Sequence, residues 1–182
     1  LRRRAAIFAE RSEWDDLIET LQRLVDAGAG KLTPEELAEI HAQMALVFAE
    51  QLDRSYDAIE SWRHVLEAAP RDPRALDRLE ALLKQEERWQ EVVEVLEQRV
   101  ELLADAEDQI AVWREVADIW KDNIGDRSGA AVALESILAL NPVDVATFEE
   151  LEGVYTDYER WDELVALYGR RYQILEGDNR QR

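Results

Sequence analysis

The sequence contains no cysteine, which excludes disulfides, thiol nucleophiles and thiolate metal ligands and leaves the redox compartment unmarked. Basic residues are scarce: 22 Lys and Arg stand against 41 Asp and Glu, a formal net charge of −19. Gripping a nucleic-acid backbone requires Lys and Arg to neutralise phosphates, so direct nucleic-acid binding is not expected. No stretch approaches the roughly eighteen apolar residues that mark a membrane span. The seven glycines are scattered, and none opens a phosphate-cradling GxGxxG or GxxxxGK[ST] loop. What remains is ample: 47% of residues are hydrophobic and 35% charged, enough to bury a core and coat it, which excludes a disordered chain. The 182 residues suit one or two domains. Because the chain opens at Leu1 inside a helical pattern and not at Met, we expect a fragment of a longer, cytoplasmic protein.

The four prolines, Pro34, Pro70, Pro73 and Pro142, all fall between long apolar-periodic runs. Thr33-Pro34-Glu35-Glu36 reads as a capping box, with Thr33 at the N-cap and Pro34 in the first helical position. Asp72-Pro73 is a shorter form of the same start signal, and Ser12 and Asp144 are further candidate caps. Between these marks apolar residues recur every three or four positions, as in Leu76, Leu79, Leu82 and Leu83, then Val92, Val95, Leu96 and Val100. No sustained alternation argues for strand, so the spacing predicts ten helices of roughly 11 to 18 residues joined by short turns.

Sliding the chain by 72 residues pairs Pro70 with Pro142, Leu76 with Phe148, Leu79 with Leu151 and Leu83 with Tyr155. The same shift lays Glu87-Arg88-Trp89 on Glu159-Arg160-Trp161, Met44-Ala45 on Val116-Ala117, Phe48 on Trp120 and Ala58 on Ala130. A third copy of the aromatic motif, Trp14-Asp15-Asp16-Leu17-Ile18, lies upstream. Each period holds four predicted helices, so the elementary unit is a helix pair of about 36 residues.

At this grain the chain resembles the tetratricopeptide-repeat (TPR) family. The stretch from Trp113 to Pro142 carries the resemblance through Trp113, Val116-Ala117 and Trp120 in its first helix, Ala130, Leu134 and Ile137 in its second, and Pro142 at the exit. His41 to Pro70 runs parallel with Met44-Ala45, Phe48, Ala58, Trp62, Val65 and Pro70. Both have slightly long turns, Leu52-Asp53-Arg54 and Ile124-Gly125-Asp126. The alternate units depart from the family pattern, with Glu80 and Glu152 where it prefers a small residue and Val92 and Leu164 where it prefers Ala. Paired aromatics such as Trp113 and Trp120 also resemble the half-a-TPR variant of RNA-processing scaffolds, whose small-residue pattern fits less well. The fold implied is an all-α, right-handed α-solenoid of about five TPR-like helix pairs in a single array, with units near 1–31, 32–69, 70–105, 106–141 and 142–178. One amphipathic pair cannot cover its own apolar face and must stack on the next. Ala45, Ala58, Ala117 and Ala130 would allow close helix approach, while Phe48, Trp62, Trp120 and Leu134 fill the gaps. Trp14, Trp89 and Trp161, at the start of second helices, are expected to pack back across the turn. Replacing Trp89 or Trp161 by Ala would then cost about 3–5 kcal/mol.

Catalytic signals are sparse. His41 and His64 lie in different predicted helices, not three or four residues apart, so the helical zinc spacing is missing. His41 reads as a spacer in the repeat core. Acid pairs such as Asp15-Asp16, Glu35-Glu36, Glu86-Glu87 and Glu149-Glu150 lie side by side on helices, where neighbours do not face each other. They read as solvated faces. Asp122-Asn123-Ile124-Gly125-Asp126 lacks the ligand spacing and closing Glu of a calcium loop, and reads as a turn with Gly125 at positive φ. Gly153 and Gly169 fall inside predicted helices, where close packing would explain them. No catalytic residue, metal ligand or cofactor is expected.

The resemblance instead implies a non-enzymatic protein-interaction scaffold that takes a partner on the concave surface of its first helices. Carried onto this sequence, the lining positions are Glu39, Glu50, Arg74, Asp77, Lys84, Arg114, Asp118, Lys121, Glu149 and Thr156. The family's carboxylate clamp of Lys, Arg and Asn is not reproduced, so the expected partner is a protein segment of basic or mixed charge, drawn by the net −19. Two other roles fit the same array: an RNA-processing scaffold, and a regulatory module of an enzyme lying outside this sequence. Arg2-Arg3-Arg4 is the one basic run and is expected to cover a neighbouring unit. The ends at Leu1 and Arg182 show no polar cap, which leaves self-association through them open.

Overall fold

A computed structural model describes residues 1–180, with the side chains of Arg2 and residues 177–180 left aside. Arg182 lies outside the described residues. The chain is all-α, with ten α-helices and no strand among the described residues. They are α1 (Arg2–Glu10), α2 (Trp14–Ala27), α3 (Pro34–Glu50), α4 (Ser55–Ala68), α5 (Pro73–Gln85), α6 (Trp89–Val100), α7 (Ala106–Asp118), α8 (Ala130–Leu140), α9 (Val145–Asp157) and α10 (Trp161–Arg180). A π-helical segment, Ile119–Ile124, continues α7. Contacts divide the chain into two compact units, Leu1–Arg88 and Trp89–Arg182. α1 pairs with α2 and α3 with α4 in the first; α7 pairs with α8 and α9 with α10 in the second.

The start signals act as their chemistry dictates. The Thr33 hydroxyl accepts from the Glu36 N–H while the Glu36 carboxylate accepts from the Thr33 N–H, both at 3.2 Å. Asp72 accepts from the Arg74 and Ala75 N–H groups at 2.9 and 3.4 Å, and Asp144 from the Thr147 N–H at 3.1 Å. Asp105 caps α7 in the same way, accepting from the Glu107 and Asp108 N–H groups.

Ser12 does not cap α2, whose N-cap is Glu13 with no side-chain bond. It holds a left-handed conformation with φ 57°, and Glu87 and Glu159 stand at the equivalent places with φ 54° and 55°. In each case the next residue donates back five positions: Glu13 to Phe8, Arg88 to Leu83 and Arg160 to Tyr155, at 3.0, 2.9 and 2.8 Å. This is one Schellman closure written three times, by residues for which positive φ is costly. The α3–α4 and α7–α8 turns use a wider closure. Arg54 donates to the Phe48 carbonyl and Asp126 to the Trp120 carbonyl, six residues back and both at 2.9 Å. The left-handed residue there is Asp53 in one turn and, as its sequence context predicts, Gly125 in the other.

In the first unit, Leu17 and Leu21 of α2, Ile40, Met44, Val47 and Phe48 of α3 and Ala58 of α4 form a core with Ala5. Ala45 and Ala58 are wholly buried, and so are Ala117 and, within 1%, Ala130 in the second unit, where Leu134, Ile137 and Leu151 fill the space around them. Small residues set the helix approach and large ones fill it, to the density of a protein interior.

The tryptophans divide by neighbourhood. Trp62 is 4% exposed, Trp14 and Trp89 are half-buried, and Trp161 is 54% exposed. The expectation that the motif tryptophans pack back across the turn therefore fails at Trp161, whose indole stands in solvent. Glycine shows a second difference. A Cβ at Gly153 or Gly169 would meet nothing within 4 Å, so close packing does not explain either. The crowded positions are Gly129, where a Cβ would lie 2.2 Å from the Trp120 ring, and Gly28, where it would lie 2.6 Å from Leu32.

Candidate protein-interaction surface

The ten lining positions fall on first helices: Glu39 and Glu50 on α3, Arg74, Asp77 and Lys84 on α5, Arg114 and Asp118 on α7, Lys121 on its π-helical continuation, and Glu149 and Thr156 on α9. The structure brings several of them together, in two separate patches, one in each unit.

In the first unit, Arg74 reaches from α5 to Glu39 of α3 at 3.6 Å, while its guanidinium also holds the capping carboxylate of Asp72 at 3.0 Å. That bond holds the Asp72 carboxyl below its ordinary range. Arg78, which the sequence did not single out, stands 3.8 Å from Glu50. Lys84 turns back along α5 to the largely buried Glu80 at 2.7 Å, a helical i, i+4 pair that neutralises a carboxylate in a small-residue position. Glu39, Glu50 and Asp77 remain exposed.

In the second unit the pairs are deeper. Arg114 of α7 reaches three side chains of the α9 region: Glu150 at 3.2 Å, the Asp144 cap at 3.4 Å and the Thr147 hydroxyl at 2.5 Å. Lys121 bonds Glu150 at 2.9 Å and Asp118 at 3.0 Å. The Glu150 bond raises the Lys121 pKa, and the Thr147 hydroxyl and N–H, with Arg114 behind them, lower that of Asp144. The two cations are about one-third exposed or less, at 33% and 29%, whereas Asp118 is 51% exposed. Glu149 and Thr156 face solvent.

Sequence reasoning named the cations here but missed Asp144 as a partner, Thr147 and Glu150. A signal was present. Arg114 and Glu150 are 36 residues apart and Arg170 and Glu135 are 35 apart, about one helix-pair unit. Opposite charges at that spacing sit on equivalent helices of successive pairs.

A cleft of about 460 Å³ between α8, α9 and α10 is lined by Leu138, Phe148, Leu167 and Ile174, with Arg171 lying over the Phe148 ring. Its carboxylate Glu135 accepts two bonds from Arg170 and one from the Tyr155 hydroxyl, all at 2.7 Å. Among the described residues no group of three or more His, Asp or Glu is placed to hold a metal ion, and no helix is long and apolar enough to cross a membrane. The two histidines do meet: the His41 and His64 rings lie 4.9 Å apart, His41 is 8% exposed, and its Nδ1 has no hydrogen-bond partner. His64 is oriented by Glu67 at 2.9 Å.

Paired amphipathic helices closed by recurrent turns and joined by ion pairs one unit apart define the chain as an all-α helix-pair repeat protein. No family model matches it, and no curated protein matches it. Among solved structures it is similar to a crystal structure of MamA, at 14% identity over 97% of this chain and 96% of that one, with a TM-score of 0.47. It is also similar to MamA residues 41 to the end from Desulfovibrio magneticus RS-1, at 18% identity over 99% and 94% of the two chains, with a TM-score of 0.45.

Proposed function

We propose that this chain is a non-enzymatic protein-interaction scaffold of the TPR-like kind, and that the first-helix surface of each unit takes a basic segment of a protein partner. One observation carries the reading: in the second unit charge is sorted by depth. On α7 and α9 the cations Arg114 and Lys121 are drawn into pairs with Asp144 and Glu150, while Asp118 and Glu149 stand outward. On α3 and α5 the sorting is weaker: Glu39, Glu50 and Asp77 stand outward, but Arg74 and Arg78 are exposed beside them, at 64% and 59%. The outward layer therefore holds more acids than bases, on a chain whose net charge is already −19. Such a surface steers a basic ligand, and screening weakens the attraction at high salt.

Fluorescence anisotropy with two labelled peptides of equal length, one rich in Lys and Arg and one rich in Asp and Glu, tests this. The basic peptide binds, weakens as salt rises from about 0.05 M to about 0.5 M, and loses affinity with Glu39→Gln and Glu149→Gln. Equal affinity for both peptides, or binding indifferent to salt, contradicts the proposal. Ribonuclease-sensitive RNA copurifying with the chain would contradict it as well.

A further inference from the structure

α10 carries an apolar stripe that its own helix pair leaves largely uncovered, with Tyr168 touching α9, its ring edge-on to Phe148 and its hydroxyl on Glu152. Trp161, Val165, Tyr168, Tyr172 and Leu175 recur at alternating steps of four and three and are 54%, 72%, 47%, 62% and 52% exposed. Alternating steps of that kind place all five on one narrow face of a helix. Leu167 and Ile174 lie well round the helix from the stripe and turn inward, Leu164 at the stripe's edge is half-buried, and α9 packs against this helix.

The repeat supplies a reference for the exposed face. Moved back by 72 residues, the five positions become Trp89, Val93, Leu96, Val100 and Leu103 of α6 and the turn after it. There Val93, Leu96 and Val100 are 4%, 0% and 7% exposed, and Trp89 and Leu103 are half-buried. α7 and its π-helical continuation pack on α6, and among the described residues no helix stands in that place for α10. The helix that follows α6 has a definite chemistry: an Asp cap, acids in its first turn, and Val112, Val116, Ala117 and Ile119 buried along one side.

We infer that the Trp161–Leu175 stripe is a docking seam for a helix of the α7 kind, joined to α10 in the register in which α7–α8 follows α6. The stripe keeps its apolar spacing through the substitutions Leu96 to Tyr168 and Val100 to Tyr172, and the rings retain large contact areas. Net charge of −19 on each chain disfavours a second copy as the occupant. The inference concerns second helices only and stands independently of the ligand surface on the first helices.

The test is an extended chain in which residues 105–141 are duplicated directly after Glu176, reproducing the register of Asp105 behind Ala104. The extended chain melts in one transition, with a Tm raised by at least about 4 °C and with the Trp161 emission shifted to the blue relative to a Trp161→Phe control. Val165→Glu removes the gain in the extended chain yet leaves the parent Tm unchanged. Inserting two residues at the junction also removes it. A duplicated pair that melts separately or stays unfolded overturns the inference. So does a parent chain that dimerises in sedimentation and loses the dimer with Val165→Glu, because the occupant would then be a second copy.

Discussion

The pairs α3–α4 and α7–α8 are the same stretch of the repeat met twice, 72 residues apart, and they close by different means. Both carry an aromatic near the close of the first helix, Phe48 in α3 and Trp120 in the π-helical continuation of α7, and both bond back to its carbonyl from six residues on. In α3–α4 the left-handed residue is Asp53, and the following Arg54 lies over the Phe48 ring at 4.7 Å. In α7–α8 the left-handed residue is Gly125, the helix loosens into π winding, and the Trp120 ring lies against Gly129. Phe48 is covered by a cation; Trp120 is covered because residue 129 has no side chain. One register therefore fixes where a turn must close, while local chemistry decides how. The deep positions behave likewise: His41 rests on His64 in the first pair, and its counterpart Trp113 is half-buried in the second.

Neighbourhood matters most at the tryptophans. Trp62→Ala removes a 4%-exposed indole from α4 and is expected to cost about 3–5 kcal/mol, whereas Trp161→Ala in α10 should stay within about 0.5 kcal/mol. Equal losses in chemical denaturation would show that residue type, and not neighbourhood, sets the cost. Gly129→Val should follow at about 1–3 kcal/mol, because its Cβ would enter the Trp120 ring. The companion Trp120→Leu should recover part of that loss, and a double-mutant cycle with no coupling would contradict the contact.

Smaller effects separate the turns. Gly125→Ala must hold φ 77° and should cost about 1 kcal/mol, while Asp53→Gly relieves a non-glycine φ of 51° and should be neutral or mildly stabilising. A loss of equal size at both sites would deny the difference between them. The smallest effect is in the His41–His64 pair. Burial, and secondarily the charge on His64, lower the His41 pKa from its ordinary 6.5, against a weaker pull from Glu67. The unfolded chain then takes up this proton at higher pH than the folded one. Stability contributed by His41 is complete above pH 6.5 and falls as pH drops through the interval down to the lowered pKa, below which it changes no further. His41→Phe should flatten that part of the stability profile, and an unchanged slope would contradict the assignment.

Much of this was legible in the residues. Helix starts followed from Thr33-Pro34, Asp72-Pro73 and Asp144, because capping is local chemistry. The period followed from apolar spacing, because stacked pairs impose it. The three left-handed closures were not legible, because Ser12, Glu87 and Glu159 put no glycine where the positive φ falls. Burial of a tryptophan depends on what stands beyond its own pair, so Trp89 and Trp161 share a motif and differ in exposure. The candidate surface was half legible. Arg114 and Lys121 were named as lining, but their partners Asp144 and Glu150 turn them into braces between helices.

That one register is folded twice with locally different closures is tested most directly by exchange. Residues 34–69 are placed in the position of residues 106–141, which they match one for one at the 72-residue offset, and unfolding is followed by circular dichroism. The chimera should keep its helix content and unfold cooperatively, with a lower Tm because Arg114 and Lys121 no longer brace Glu150. A chimera that loses its helix content or its cooperative transition would show that the two pairs are not equivalent, and would contradict the account.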